Sequence, residues 1–561
     1  MPFPRPFRVL LCALLLAAAA NAPILRAAPA SSTYPELVKL FEEWRAFERP
    51  VMHGAVPDYS AAAMTAKASA LPQWRKRLSA VGTADWPIGE RNDWKLVQAE
   101  MNGLDFNLRV LRPWARDPAF YVSVWAARSD CPLREGPLAY PAIELYNYRF
   151  PLSAASEREL TERLGAIPAL LAQARQNLKE SNARDLWVWG GQELRNQSQT
   201  LASLEAGDLT VSTLEGSQHA DLTGATKELH AAVNAARKAT DDMIAWLDKL
   251  APSKTGPSGV GKENYNWYQQ NVHLVPFNWD EQVVLLHREL ERAQAALRLE
   301  EHNNRNLPPL EPVPDAAAFE KMTHARLDTF VGFLSAGQII PDKPYIRAAL
   351  EPQLGHFVPE DQRIFFTRVT HREPMLLLSH CYHWIDLARM RDEPNPSPIR
   401  RLALLSNIWD SRAEGFATAF EEIVMHAGLY DDDPRAKELV WIMLANRAAR
   451  GLASLYVQAN EMTLEQAGQF HSAWTPRGWA VANDKLTAFE QLLYLRQPGY
   501  GASYITGKIE FDRLMSEYSR QQDLAGKPFI LRDFLDRFNN EGMIPIPLME
   551  EEIVAKEARE P

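Results

Sequence analysis

The chain has 561 residues, 46% of them hydrophobic and 24% charged, which is the balance of a folded globular protein rather than a disordered or low-complexity chain. Its formal charge is −10, both signs are spread along the sequence, and no long basic run occurs, which argues against nucleic acid as a partner. Three cysteines are too few for a disulfide framework.

Residues 1–30 read as a secretory signal peptide. Arg5 and Arg8 give a basic start, Val9 to Ala20 is an apolar run too short to span a bilayer, and Ala28-Pro29-Ala30 offers a cleavage site before Ser31. Ala20-Asn21-Ala22 is a second such site, but Pro23 follows it. Cys12 lies inside the apolar run rather than at its end, which argues against a lipid anchor. No later segment is apolar for long enough to cross a membrane. The chain is therefore expected to be exported, periplasmic or secreted, with no transmembrane segment once the leader is removed. Cys131 and Cys381 stay in the mature chain; they could pair in an oxidising compartment, but the sequence does not bring them within bonding distance.

Helical periodicity dominates from there on. Glu157 to Glu180 carries Leu160, Leu164, Ile167, Leu170 and Leu171 on one stripe, with Pro168 as a point of kinking or division. Thr226 to Leu250 is similar. Ala251 to Lys262 (APSKTGPSGVGK) reads as a linker. Its Gly259-Val260-Gly261-Lys262 is not a phosphate loop, because Glu263 follows where Ser or Thr is required. Glu263 to His273 is dense in aromatic and amide groups, and Tyr265 and Trp267 either line a substrate cleft or anchor the lobe boundary. Trp279 to Glu301 is helical, Asn303 to Asp315 is a proline-rich connection, and Arg391 to Pro398 is another. Pro434 to Val457 and Thr463 to Phe470 read as helices. No alternating series is long enough for a large sheet, and no solenoid repeat is present.

The histidines cluster once. A helix expected to start near Arg372, with Pro374 in its first turn, carries His380 and His383 three residues apart, about 60° apart on one face. Two imidazoles so placed can reach one metal ion. Glu373, seven residues before His380, shares that face on a regular helix. A second helix, from Trp409 to Glu422, has Glu414 and Glu421 seven apart, and its Gly415 and Ala417 permit close approach of a neighbour. Two histidines from one helix and a glutamate from the next form a frequent zinc arrangement, whose metal lowers the pKa of water and polarises a carbonyl. The plainer alternative is two half-buried histidines on an amphipathic helix. H-E-x-x-H is absent, since Cys381 follows His380. No G-x-S-x-G elbow occurs, and Cys381 diverges from its neighbouring histidines on a helix, so nucleophilic catalysis finds little support. After a glycine-rich turn, Tyr504 and Lys508 share a helix face, with Tyr504 either an oxyanion donor or a packed tyrosine.

Several stretches resemble the bacterial domain-of-unknown-function family 885 over nearly the whole mature chain. They are Asp93 to Gly103, Leu111 to Tyr121, Glu414-Gly415-Phe416-Ala417, Gly428 to Pro434, Pro498 to Lys508, Leu531 to Phe534 and Gly542 to Pro547. The resemblance implies a helical fold related to gluzincin-type metallopeptidases, with a zinc motif H-E-x-x-P-G-H and a third ligand in an E-G-W-A motif. Glu414 stands at that third ligand and His383 at the second histidine, whereas Leu377 and Leu378 replace the first histidine and its glutamate. His380, or His371 with Glu373, stands in reserve as a ligand.

The reading at this level is an all-α, multi-helix body with a central cleft, made of a lobe over 31–250, a linker at 251–262 and a second lobe over 263–561. Its expected activity is a zinc-dependent, peptidase-type hydrolase acting on a peptide or small molecule, with the metal on His380, His383 and Glu414. Glu373 or Glu421 is the expected base and Tyr504 the oxyanion donor. Tyr500, Lys508, Tyr265, Trp267 and His371 are the expected substrate contacts. The alternative is an inactive relative that binds peptides or other ligands in the cleft.

Overall fold

The computed structural model describes residues 32–557; the expected signal peptide lies outside the described residues. The fold is all-α, 66% helix and 4% strand. The strands form three two-stranded sheets: Val51–His53 with Val56–Asp58, Val124–Trp125 with Ile143–Glu144, and Leu209–Ser212 with Ser217–Ala220. No described helix is long and apolar enough to cross a membrane.

The long amphipathic stretches form the helices their periodicity predicts. Ala154–Asn177 runs straight through Pro168, so that proline does not divide it. Lys227–Leu250 starts at Thr226, whose hydroxyl accepts the Leu229 amide. Trp279–Asn303 begins with a reciprocal Asn278–Glu281 cap. Ala436–Gln458 is buried along nearly its whole length, which fits a helix at the centre of a bundle.

Two large cores result. One gathers residues between Tyr59 and Leu247, chiefly the helices Ala154–Asn177, Arg184–Ala206 and Lys227–Leu250. The other is built by the C-terminal half together with the first helices, Tyr34–Glu48, Ala61–Ser79 and Ile88–Phe106. The expected N-terminal lobe thus supplies both cores. The segment 251–262 is pinned rather than free: Gly259 N–H donates to Asn460 Oδ1 at 2.9 Å and Gly261 N–H to the Gln458 carbonyl at 2.8 Å. A Cβ at Gly259 would lie 2.3 Å from the Val457 oxygen, so glycine is required for this close approach.

One helix crossing sets up the site. Asp410–His426 packs on Tyr500–Leu524, and a Cβ on Gly415 would come within 2.4 Å of Gly507 backbone atoms. Two glycines at one crossing let the backbones touch, and the helix faces next to the crossing carry Glu414 on one side and Tyr500 and Tyr504 on the other.

Candidate metal centre

His380 and His383 do not share one regular helix. Met375–His380 ends at Cys381, whose ψ of 11° interrupts the helix, and Tyr382–Asp392 begins a new one. The imidazoles nonetheless meet edge to face with ring centroids 5.0 Å apart. Glu414, from the crossing helix, closes the group, and one ligand atom from each of the three side chains lies within 4.8 Å of the others. His383 Nε2 is 3.1 Å from Glu414 Oε2 and His380 Nε2 is 3.7 Å from the same oxygen. Both imidazoles therefore aim the same nitrogen at one carboxylate oxygen.

The neighbours hold these groups in place. Glu421 Oε1 lies 3.2 Å from His380 Nδ1, close enough to pair but without hydrogen-bond geometry. Glu421 is itself gripped by both terminal nitrogens of Arg447, at 2.6 and 2.7 Å. The Tyr500 hydroxyl donates a short bond to Glu414 Oε1. The Tyr504 ring stacks near His380, with centroids 6.2 Å apart and planes 17° apart, and Arg450 lies over its other surroundings at 4.2 Å from the ring centroid.

Electrostatics divide the two histidines. Burial and the nearby Arg447 push His380 well below its ordinary pKa, so its imidazole is neutral. Burial opposes protonation of His383, but the adjoining Glu414 carboxylate outweighs it and raises the pKa to about 9. Burial likewise works against ionising Glu414, yet His383 holds its carboxyl down at about 2. Without a cation, the site is a buried imidazolium–carboxylate pair beside a neutral imidazole.

The remaining expected site residues make the following contacts. Glu373 receives the Met375 amide at 3.0 Å and pairs with Arg326 at 2.9 Å, because the helix that carries His380 begins only at Met375 and leaves Glu373 outside it. Glu421 serves Arg447 and His380 and is not free to act as a base. Lys508 is tied to Asp512 at 2.6 Å and Glu422 at 3.2 Å. Tyr265 is buried with its hydroxyl on Gln282 at 2.7 Å, and Trp267 stacks on Phe106, so both anchor the packing around the 251–262 segment. His371 accepts the Val358 amide at 2.9 Å between Phe319 and Phe357. Tyr500 touches Glu414 rather than an open cleft.

The structure also brings in residues that periodicity does not reveal. The loop Asp130-Cys131-Pro132-Leu133-Arg134-Glu135 carries a second group of potential ligand atoms, Asp130, Cys131 and Glu135, mutually within 4.8 Å. Cys131 Sγ is 3.3 Å from the Tyr500 hydroxyl and 4.0 Å from Glu414 Oε1, so this loop abuts the triad. Burial raises the Asp130 and Glu135 carboxyls, and it holds the Cys131 thiol well above its ordinary value and Cys381 at about 12. Both thiols are protonated and unpaired, which removes them as nucleophiles. The only sequence signal for this loop is its chemistry: two acids and a cysteine between turn-forming residues.

Residues 46–312 and 383–553 match the family described as bacterial protein of unknown function (DUF885). The chain belongs to that family. His383 and Glu414 fall inside the DUF885 match, while His380 lies in the unmatched stretch between its two parts. Two solved structures share the fold at 14% identity. One, titled a "putative lipoprotein of unknown function" from Shewanella oneidensis, aligns over 93% of this chain and 100% of its own with a TM-score of 0.65. The other, titled a "putative lipoprotein" from Colwellia psychrerythraea, aligns over 94% and 98% with a TM-score of 0.62. No curated protein matches the chain.

Proposed function

We propose that this DUF885 protein is an exported, metal-dependent hydrolase of the peptidase type, with zinc held by His380, His383 and Glu414. The observation that carries the reading is the aim of both Nε2 atoms at one Glu414 oxygen, with Glu421 behind His380 Nδ1. Two imidazole nitrogens and a carboxylate are the donor set of many catalytic zinc sites. Zinc bound there would supply Lewis acidity toward a carbonyl. Export is supported by the N-terminal leader pattern and by the titles of the two structural neighbours.

The chain's own groups take distinct parts. Glu421 lies behind the ring of His380, and Tyr500 holds Glu414 through a hydrogen bond. Burial keeps the Tyr504 phenol protonated, so beside His380 it donates a hydrogen bond to a developing oxyanion. With Glu373 and Glu421 committed to arginines, the proton acceptor is Asp130, a partly exposed carboxylate whose charge is felt by both His383 and Glu414.

A second reading, a ligand-binding relative without catalysis, is favoured by Leu378. It is buried in the main core at the position where the resemblance implies the catalytic glutamate. Zinc content decides between the two. About one equivalent per mature chain, retained through gel filtration and lost in Glu414→Ala, is expected for the hydrolase, together with cleavage in a peptide screen. Absence of metal after zinc is supplied overturns it and leaves the binding protein.

A further inference from the structure

A cavity of about 280 Å³ is lined in part by the 130–137 loop, which also abuts the triad. Arg134, Gly136 and Pro137 line the cavity, while Asp130, Cys131 and Glu135 of the same loop face one another beside Glu414. A second segment is shared in the same way: Arg496 and Gln497 line the cavity, and Tyr500, three residues on, donates to Glu414. The cavity and the triad therefore share a pair of segments.

Its polar wall is unusual in what it leaves unmade. Gln497 is 4% exposed, and neither its amide oxygen nor its nitrogen has a hydrogen-bond partner among the described residues. A buried amide in that state costs about 1–3 kcal/mol for each unmet group, so it points to something that binds there. Asn107 and Asn407 add two more side-chain amides to the wall. Asn407 is presented by a backbone with φ of 53° at both Ser406 and Asn407, a left-handed pair that is rare outside glycine. The Ser406 carbonyl holds that turn by accepting from the Tyr268 hydroxyl at 3.0 Å and His273 Nε2 at 3.1 Å.

Several charged groups on the wall already have partners. Arg496 donates to Asp117 at 2.6 Å and to the Pro137 carbonyl at 3.0 Å. Lys67 donates to the Phe47, Glu48 and Arg49 carbonyls, closing the end of the Tyr34–Glu48 helix. Glu100 accepts from Arg45 and the Leu405 amide. The three side-chain amides are neutral, each both donor and acceptor, and share the cavity with an apolar wall that includes Tyr59, Trp114, Phe120 and Leu138, while Glu100 Oε2 is a further unpartnered acceptor. That pairing suits a peptide bond next to an apolar side chain. The volume falls just under the usual range for drug-sized ligands, which limits the occupant to something like a di- or tripeptide.

We infer that this cavity binds a short peptide with an apolar side chain, its backbone amide held by Gln497, Asn107 and Asn407. The inference rests on the peptidase reading for its biological sense and names the substrate class of that site. The binding itself is testable apart from catalysis.

The probe is N-acetyl-leucinamide, which carries two neutral amides and one apolar side chain, titrated calorimetrically into the full mature chain stripped of metal by chelator. Saturable binding is expected, weakened about tenfold or more in Gln497→Leu and, as an independent variant, in Asn107→Leu, with zinc content unchanged in both. Glu414→Ala is expected to bind the probe as the unmodified chain does. No saturable binding, or equal affinity in both leucine variants, overturns the inference. If the probe binds but zinc-loaded protein cleaves no peptide, the cavity assignment stands and the hydrolase reading falls. If peptides are cleaved with KM unmoved in Gln497→Leu and Asn107→Leu, the cavity assignment falls and the hydrolase reading stands.

Discussion

Around Arg400 three carboxylates meet one guanidinium: Asp93 and Glu552 at 2.6 Å and Glu541 at 3.4 Å, with the Gly89 and Glu541 carbonyls completing the fork. Around Glu414 a buried carboxylate meets two imidazoles and a phenol, none of them a permanent cation. Both neighbourhoods are buried, yet they neutralise charge in opposite ways. A guanidinium stays protonated and binds carboxylates in a fixed geometry, so it serves as a structural pin, here joining the Ile88–Phe106 helix to the C-terminal helix. An imidazole can give up its proton and offer a lone pair, so a metal ion can take that proton's place beside the same buried carboxylate. Glu421 shows the rule within one helix. It sits two turns from Glu414 and is claimed by Arg447, so its charge is met by a guanidinium rather than by imidazoles.

The comparison is broken most directly at the pin. Arg400→Met leaves three carboxylates buried without their cation and is expected to destabilise the protein by about 3–5 kcal/mol in urea unfolding. Glu414→Ala is expected to cost clearly less, because His383 can become neutral when its partner is gone. Equal losses in the two variants would mean that the triad is also a structural pin.

A smaller effect separates structure from catalysis at Glu373. Burial raises its pKa to about 7 in the folded chain, against about 4.5 unfolded, while Arg326 works the other way. The folded state then binds more protons than the unfolded state between those values, so this group's contribution is present below pH 4.5 and is lost as pH rises through 7. Glu373→Gln removes that dependence. Its stability relative to the unmodified chain is expected to rise with pH across this window by up to roughly 3 kcal/mol, with zinc content unchanged. A flat difference, or loss of hydrolysis with unchanged stability, would return Glu373 to the active site.

How far the sequence reached follows the same physics. Helices such as Thr226 to Leu250 were legible because their apolar stripe and cap are local properties. That His380, His383 and Glu414 come together is expected from the three-residue spacing of the histidines and from the resemblance that marks Glu414. The close helix crossing was legible in Gly415, though its partner Gly507 was not singled out. What the sequence hid depends on contacts between distant segments. Nothing local in Glu373 says that Arg326 will claim it, or that Cys381 will interrupt the helix. The 130–137 loop has no period at all, and its Cys131 reaches Tyr500 across 369 positions of chain. Tyr265 and Trp267 read as a cleft wall on composition, but buried aromatic rings and cleft aromatic rings have the same composition.

The finest division of the two neighbourhoods lies at Tyr500. Its hydroxyl donates to Glu414, and Phe keeps the ring that packs against Trp409 and Tyr494. If Glu414 is a metal ligand, Tyr500→Phe removes a group that orients it, and zinc affinity should fall by about tenfold while folding stability changes by only about 1 kcal/mol. If instead Tyr500 and Glu414 are simply a buried hydrogen-bonded pair, stability should fall and zinc binding should not follow it. Competition titration with a zinc-binding dye, run beside urea unfolding on the same preparations, reads both quantities. A loss in affinity larger than the loss in stability places the hydroxyl in service of the metal. The reverse order would make Glu414 a structural carboxylate of the kind that Arg400 gathers.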